Sequence, residues 1–358
     1  MMNIHDIPGT MAVRSEDAFD TKAVLAYLVQ QQLVPADASA NLEVVQFPTG
    51  ASNLTYLLQC GSWVAVLRRP PHGPLPPRAH DMKREAAFLA KLHPHFPKAP
   101  QPYSFCEDTS VIGVPFFLME YRPGICIDMA FPPHVPYTPA KAKAVSEQAV
   151  LALVDLHSVD VAATELTSFG HPEGFLQRQV DGWIERFRRS DIGEPVPGAD
   201  ALMAWLTRKI PDTHSYTVIH NDFKLNNLLF DPNSLTEIVG IVDWEMATIG
   251  DPLFDLGVML SYWVEASDPE PLRSLLPSAT VLPGFLRRDE IVQLYARTSG
   301  RPVDHLVFYQ VLGTFKLAVI IQQIYVRYKM GKTTDPRFAQ FGDAIRTLMD
   351  HAVHTAGL

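Results

Sequence analysis

Between His220 and Asp255 this chain gathers oxygen donors and a cation at spacings that suit phosphoryl transfer. Val218-Ile219 leads into His220-Asn221-Asp222, Lys224 follows, and Asn227 stands five residues beyond Asp222. A second apolar run (Ile238, Val239, Ile241, Val242) then ends on Asp243. A carboxylate such as Asp222 can orient a hydroxyl and take its proton late in transfer. Mg²⁺ is a hard cation that keeps several waters, so the Asn227 amide oxygen and the Asp243 carboxylate, together with nucleotide phosphates, suffice to hold it. An ammonium at Lys224 can offset charge on the moving phosphoryl group.

Such residues must be held by rigid backbone, and the apolar runs before His220 and Asp243 read as short buried strands. Upstream, Leu42 to Phe47, Leu54 to Gln59 and Trp63 to Leu67 read as strands, with a turn at 48–53 and a break at Cys60-Gly61-Ser62. A Pro-rich loop at 70–77 precedes a helix over 81–92, and an apolar strand over 114–121 is stopped by Arg122-Pro123-Gly124. Helical spacing recurs at 20–32, 140–157 (with Thr138 as cap), 175–188, 201–210 and 304–328. The expected organisation is a tail over 1–17, a small α+β part over 18–121 and a mainly helical part over 122–358.

Position for position, His220, Asp222, Lys224 and Asn227 resemble the catalytic loop of protein kinases. Asp243-Trp244-Glu245, followed by Gly250-Asp251-Pro252 and Asp255-Leu256, is more similar to the aminoglycoside phosphotransferase and choline kinase group. Leu67-Arg68-Arg69-Pro70-Pro71 and Arg178-Gln179-Val180 before Trp183 resemble the kinase-like domains associated with acyl-CoA dehydrogenases. The resemblance covers roughly residues 40 to 330 and implies a protein-kinase-like fold of class α+β: an N-terminal lobe on a small antiparallel sheet and a larger, mainly helical C-terminal lobe.

It also implies ATP as phosphoryl donor, Mg²⁺ as cofactor and a small-molecule hydroxyl as acceptor, either a hydroxy acid or hydroxyacyl-CoA or, alternatively, an aminoglycoside, choline or homoserine. By itself the turn at 49–55 is an ordinary hairpin. The resemblance makes it the nucleotide-covering loop, with Gly50 and Ser52 near the phosphates. The group's phosphate-binding Lys is replaced here by an Arg, assigned to Arg68, with Glu85 as its partner or else part of a solvated helix face. Arg keeps the charge but presents a planar fork, so it is not equivalent to Lys. This departure leaves a second class of function open, an inactive nucleotide-binding protein. Glu120 and Tyr121 would line the adenine slot, His220 and Asp255 would brace the catalytic loop, and Glu245 and Asp251 would edge the acceptor site. His157 reads as a half-buried helix-end residue.

The formal net charge of −9 argues against broad nucleic-acid binding. Three cysteines with no metal-like spacing suit a reducing cytoplasm. The most apolar stretch, 317–321, is flanked by Lys316 and Gln322-Gln323 and reads as a core helix, not a membrane span. Oligomeric state is not encoded in any of these patterns.

Overall fold

The computed structural model of the chain describes residues 3–35, 41–48, 53–71, 81–191, 193–213, 215–333 and 335–358. Gly50 and Ser52, the expected nucleotide-loop residues, lie outside the described residues. The chain forms two compact units. The first comprises Met1–Pro123 and Gly240–Glu245, and the second comprises Gly124–Val239 and Met246–Leu358. The division thus falls two residues after the expected one, and the stretch containing Asp243 returns to the first unit.

The first unit is built on a five-stranded antiparallel sheet of order β1-β2-β3-β5-β4: β1 (Glu43–Phe47), β2 (Leu54–Cys60), β3 (Trp63–Arg69), β4 (Pro102–Cys106) and β5 (Phe116–Glu120). Helix α1 (Thr21–Gln30) is capped by Asp20 and buries Val24 and Leu28 against Tyr56, Leu58, Leu67, Phe116 and Leu118. Each fully buried aliphatic or aromatic side chain of this kind contributes about 1.5–3 kcal/mol. Helix α2 (Met82–Leu92) starts where the Asp81 side chain accepts from Arg84 N, and it buries Glu85, Phe88 and Leu89. Strand β4 is not signalled in the sequence, because Pro97, Pro100 and Pro102 crowd its start and its pairing with β5 shifts register between Pro102 and Ser104.

The expected tail is also corrected. Ile4 is fully buried, Met11 and Gln46 exchange two backbone hydrogen bonds (2.8 and 2.9 Å), and buried Asp17 accepts from Gln46 Nε2 at 2.8 Å. Nothing local announces this order, since it depends on partners about thirty residues or more along the chain.

In the second unit, α3 (Pro139–His157) begins at Thr138, whose side chain accepts from Lys141 N, and is followed by α4 (Val161–Thr164), α5 (Phe175–Arg189) and α6 (Ala199–Arg208). Strand β6 (Thr217–Ile219) leads into the His220 loop and later pairs with β9 (Thr248–Gly250). Between them in sequence lie β7 (Leu228–Phe230) and β8 (Ile238–Ile241), a second two-stranded ladder in which Gly240 and Ile241 are counted with the first unit. Helices α7 (Pro252–Tyr262), α8 (Glu270–Leu275), α9 (Arg288–Ser299), α10 (Leu306–Lys329) and α11 (Phe341–Ala356) complete the unit.

Helix α10 packs on α5, α7 and α11. It is the one helix among the described residues long and apolar enough to cross a membrane, and most of it is buried within this unit. It approaches α7 so closely that a Cβ at Gly313 would lie 2.8 Å from Gly257 O. That approach brings an α7 carboxylate and an α10 ammonium to the same loop.

Candidate active site

Strand alternation sends the two arginines at the end of β3 to opposite faces. Arg69 turns toward the N-terminal segment. Its Nε donates to Tyr56 Oη at 3.0 Å, its Nη2 donates to Asp17 O at 2.7 Å, and the guanidinium lies over the Phe19 and Tyr56 rings. Arg68 turns toward α2 and is buried. Its Nη1 meets Glu85 Oε1 at 2.5 Å, its Nη2 meets Asp243 Oδ1 at 3.3 Å, and Glu245 Oε2 lies 4.0 Å away. The Arg68–Glu85 pair expected from the sequence is therefore present, and the alternative of a solvated Glu85 is excluded.

One guanidinium thus faces three carboxylates. Burial opposes the Arg68 charge, but Glu85, Asp243 and Glu245 outweigh it and hold the group above its ordinary value. Glu85 is pushed up to about 7, chiefly by burial and further by Asp243 and Glu245, against the pull of Arg68. The excess negative charge lies on the outer two groups, with the Asp243 side chain 34% exposed. Asp243 also adopts φ 68°, a left-handed conformation that costs a non-glycine residue roughly 1–3 kcal/mol and is common at functional sites. Trp244 anchors the turn. Its Nε1 donates to Ile241 O at 2.7 Å, and its ring stacks near Phe88. Asn53 Nδ2 donates to Glu245 Oε2 at 3.2 Å. Glu245 thus belongs to the Arg68 cluster, whereas the sequence reading set it at the edge of the acceptor site.

In the second unit the loop after β6 is held by backbone hydrogen bonds. Fully buried Asp255 on α7 accepts from His220 N and Asn221 N, both at 2.6 Å, which is the bracing expected of it. His220 is itself buried, and its Nδ1 accepts from Asp222 N at 3.3 Å. Asp222 Oδ2 lies 2.8 Å from Lys224 Nζ, and Asn227 Nδ2 donates to Asp222 O (2.9 Å) and Oδ2 (3.3 Å). The nitrogen of Asn227 is thus committed to Asp222. Lys224 Nζ also sits 4.8 Å from the centre of the Tyr262 ring.

Not every expectation survives in detail. Glu120 N donates to Gln101 O at 2.8 Å, and its carboxylate pairs with Arg122 at 2.8 Å, so its side chain is engaged at the end of β5. Tyr121 follows it, half-buried, with its hydroxyl pushed up by burial. Asp251, which the sequence reading set at the edge of the acceptor site, is buried. It caps α7 by accepting from Leu253 N and takes a hydrogen bond from Tyr309 Oη, each at 2.8 Å. His157 is fully buried, bridging Tyr295 Oη (2.8 Å) and Asp255 Oδ2 (3.4 Å), and burial holds its imidazole below its ordinary value.

The sequence reading missed Lys316, whose ammonium donates to Asn221 O and Oδ1 from within α10. The signal was available as a lone cation inside the apolar run Phe315 to Ile321. Among the described residues no three His, Cys, Asp or Glu side chains form a closed metal cage. The Asp243 carboxylate of the first unit and the Asn227 amide oxygen of the second are each of a donor type that suits Mg²⁺, which takes much of its shell from water and phosphate.

Comparison with known proteins gives a consistent result. APH, the phosphotransferase enzyme family, matches residues 43–291. Acyl-CoA dehydrogenase family member 10 of Mus musculus is 32% identical over 349 residues, covering 97% of this chain but only 32% of that protein. The chain therefore spans about a third of the length of that relative. A protein of Ralstonia eutropha JMP134 described as an aminoglycoside phosphotransferase superposes with a TM-score of 0.79 at 28% identity, covering 95% of this chain and 99% of the other. Choline kinase of Cryptosporidium parvum Iowa II shares the fold at 12% identity, with a TM-score of 0.61 and coverage of 94% and 96%.

Proposed function

This chain belongs to the phosphotransferase enzyme family, and from that premise we propose that it moves the γ-phosphate of ATP to a hydroxyl of a small hydroxy acid or hydroxyacyl-CoA. The observation that carries the reading is the braced loop, in which Asp222 is paired with Lys224 and tied to Asn227. In the reaction the acceptor oxygen bonds to the γ-phosphorus, the bond to the β-phosphate oxygen breaks, ADP leaves, and the hydroxyl proton passes to Asp222. Lys224 offsets charge on the transferring group, and Arg68, poised by Glu85, grips phosphate oxygens. Asn227 and Asp243 would hold Mg²⁺, which would neutralise charge on the β- and γ-phosphates. Such a site asks little covalent work of the protein, so positioning and electrostatics lower the barrier.

Support for the acceptor class comes from the similarity to acyl-CoA dehydrogenase family member 10, whose name concerns acyl-CoA chemistry. Three free thiols support a reducing compartment, which we take to be the cytoplasm. The test is transfer of labelled γ-phosphate, with Mg²⁺, to a panel of hydroxy acids, hydroxyacyl-CoAs, aminoglycosides, choline and homoserine. Transfer to the first two classes should fall by about 10²–10⁴-fold in Asp222→Asn. Transfer that Asp222→Asn leaves intact would refute the assignment of the base, and transfer only to aminoglycosides or choline would refute the acceptor class.

A further inference from the structure

We propose that Lys316 is a positioning residue of the phosphoryl-transfer site, its ammonium clamping Asn221 and so aiming the Asp222 carboxylate at the acceptor. The proposal rests on the phosphotransferase reading above but concerns a residue far along the chain, in the middle of α10.

Lys316 is 2% exposed and flanked by the buried side chains of Phe315, Leu317 and Ala318. Burying an ammonium is costly, and an apolar side chain of similar length would fill the space at lower cost. What the ammonium does there is specific. It donates to both the backbone oxygen and Oδ1 of Asn221, while the Trp183 and Phe254 rings lie 5.8 and 5.6 Å from Nζ. Asn221 adopts φ 67°, and its remaining polar groups are also engaged: N donates to Asp255 Oδ1 at 2.6 Å and Nδ2 to Met246 O at 3.2 Å. All four hydrogen-bonding groups of the residue preceding Asp222 are therefore pinned, two of them by Lys316. A residue held in the left-handed region persists only where its surroundings over-determine it. Release of the Lys316 contacts would free that turn and swing Asp222 with it.

The charge on Lys316 is conditional. Burial lowers its pKa to about 8, offset in part by Asp222 on the loop and Asp255 on α7, while Lys224 on the loop and Arg186 on α5 depress it further. As pH rises through that value, the three-donor ammonium becomes a two-donor amine and the clamp weakens.

The experiment compares wild type, Lys316→Met and Lys316→Arg by amide hydrogen exchange over residues 217–230, with steady-state transfer from ATP to the acceptor found above measured in parallel. In Lys316→Met, exchange in this segment should rise about tenfold or more while the remainder keeps its protection. The kcat should fall by about 10²-fold with KM for ATP unchanged; wild type should lose kcat as pH rises through about 8, and this alkaline limb should be absent from Lys316→Met. Lys316→Arg, which stays charged, should restore protection and most of kcat. A folded Lys316→Met with wild-type exchange and wild-type kcat overturns the proposal. If Lys316→Met does not fold, Lys316→Arg decides: retained protection with no alkaline limb supports the clamp, and lost protection in a folded protein refutes it. Because exchange reads the loop directly, failure of the clamp is distinguishable from failure of the phosphotransferase reading.

Discussion

The two clusters of candidate functional residues are held by different physics. In the first unit, Arg68 sits among Glu85, Asp243 and Glu245, and Coulomb attraction sets the geometry. In the second, the Asp222 loop is shaped mainly by directional hydrogen bonds, donated to Asp255 and received from Asn227 and Lys316. Both contain a non-glycine residue at positive φ, Asp243 at 68° and Asn221 at 67°. At Asn221 every polar group is engaged, whereas Asp243 keeps a third of its side chain open. The difference suits the roles proposed for them. A cation site needs surplus negative charge and room, and a catalytic base needs a fixed direction.

The comparison can be broken at several points. The largest expected effect is on Asp243→Ala, which removes the exposed carboxylate of the charge-set cluster. Mg²⁺-dependent transfer should drop to background, and titration with Mg²⁺ should no longer stimulate any residual rate. Persistence of Mg²⁺ stimulation would show that the cation is held elsewhere. Next is Asp255→Asn, which keeps shape but offers one oxygen to two buried N–H donors. Stability should fall by about 2–3 kcal/mol, read as a lower urea midpoint, together with a fall in kcat. A fall in kcat without lost stability would mean that Asp255 acts on the chemistry and not through the loop.

The smallest effect concerns pH. Glu85 has a folded-state pKa raised to about 7 from 4.5, so between those values the folded chain binds more protons than the unfolded one. Its contribution to stability is therefore favourable at acid pH and is lost as pH rises through about 7. Glu85→Gln should flatten the fall in urea midpoint between about pH 5 and pH 7. An unchanged slope would mean that Glu85 stays ionised beside Arg68 throughout that range.

Much of the site was legible without coordinates, for a local reason. His220, Asp222, Lys224 and Asn227 lie on one loop, and Asp243 follows a buried strand only sixteen residues later, so their spacing alone marks them as candidates for one chemistry. Four of the five sheet strands and helices α1, α2, α3, α5, α6 and α10 were legible too, because apolar periodicity and caps such as Asp81 and Thr138 act over a few residues, whereas α4, α7, α8, α9 and α11 were not assigned from the sequence. Strand β4 and the ordered N-terminal segment were not, since their hydrogen bonds go to distant strands and no short-range pattern encodes them. The same holds for the roles of Lys316, His157 and Asp251. Their residue types were visible, but whether a buried charge is a clamp, a bridge or a cap depends on which partner the packing of α3, α7 and α10 places within hydrogen-bonding distance. Sequence by itself determined which chemical groups are available and in what local order. Only the tertiary structure decided which of them are desolvated and paired, because the energy of a charge or hydrogen bond is set by its surroundings in space and not along the chain.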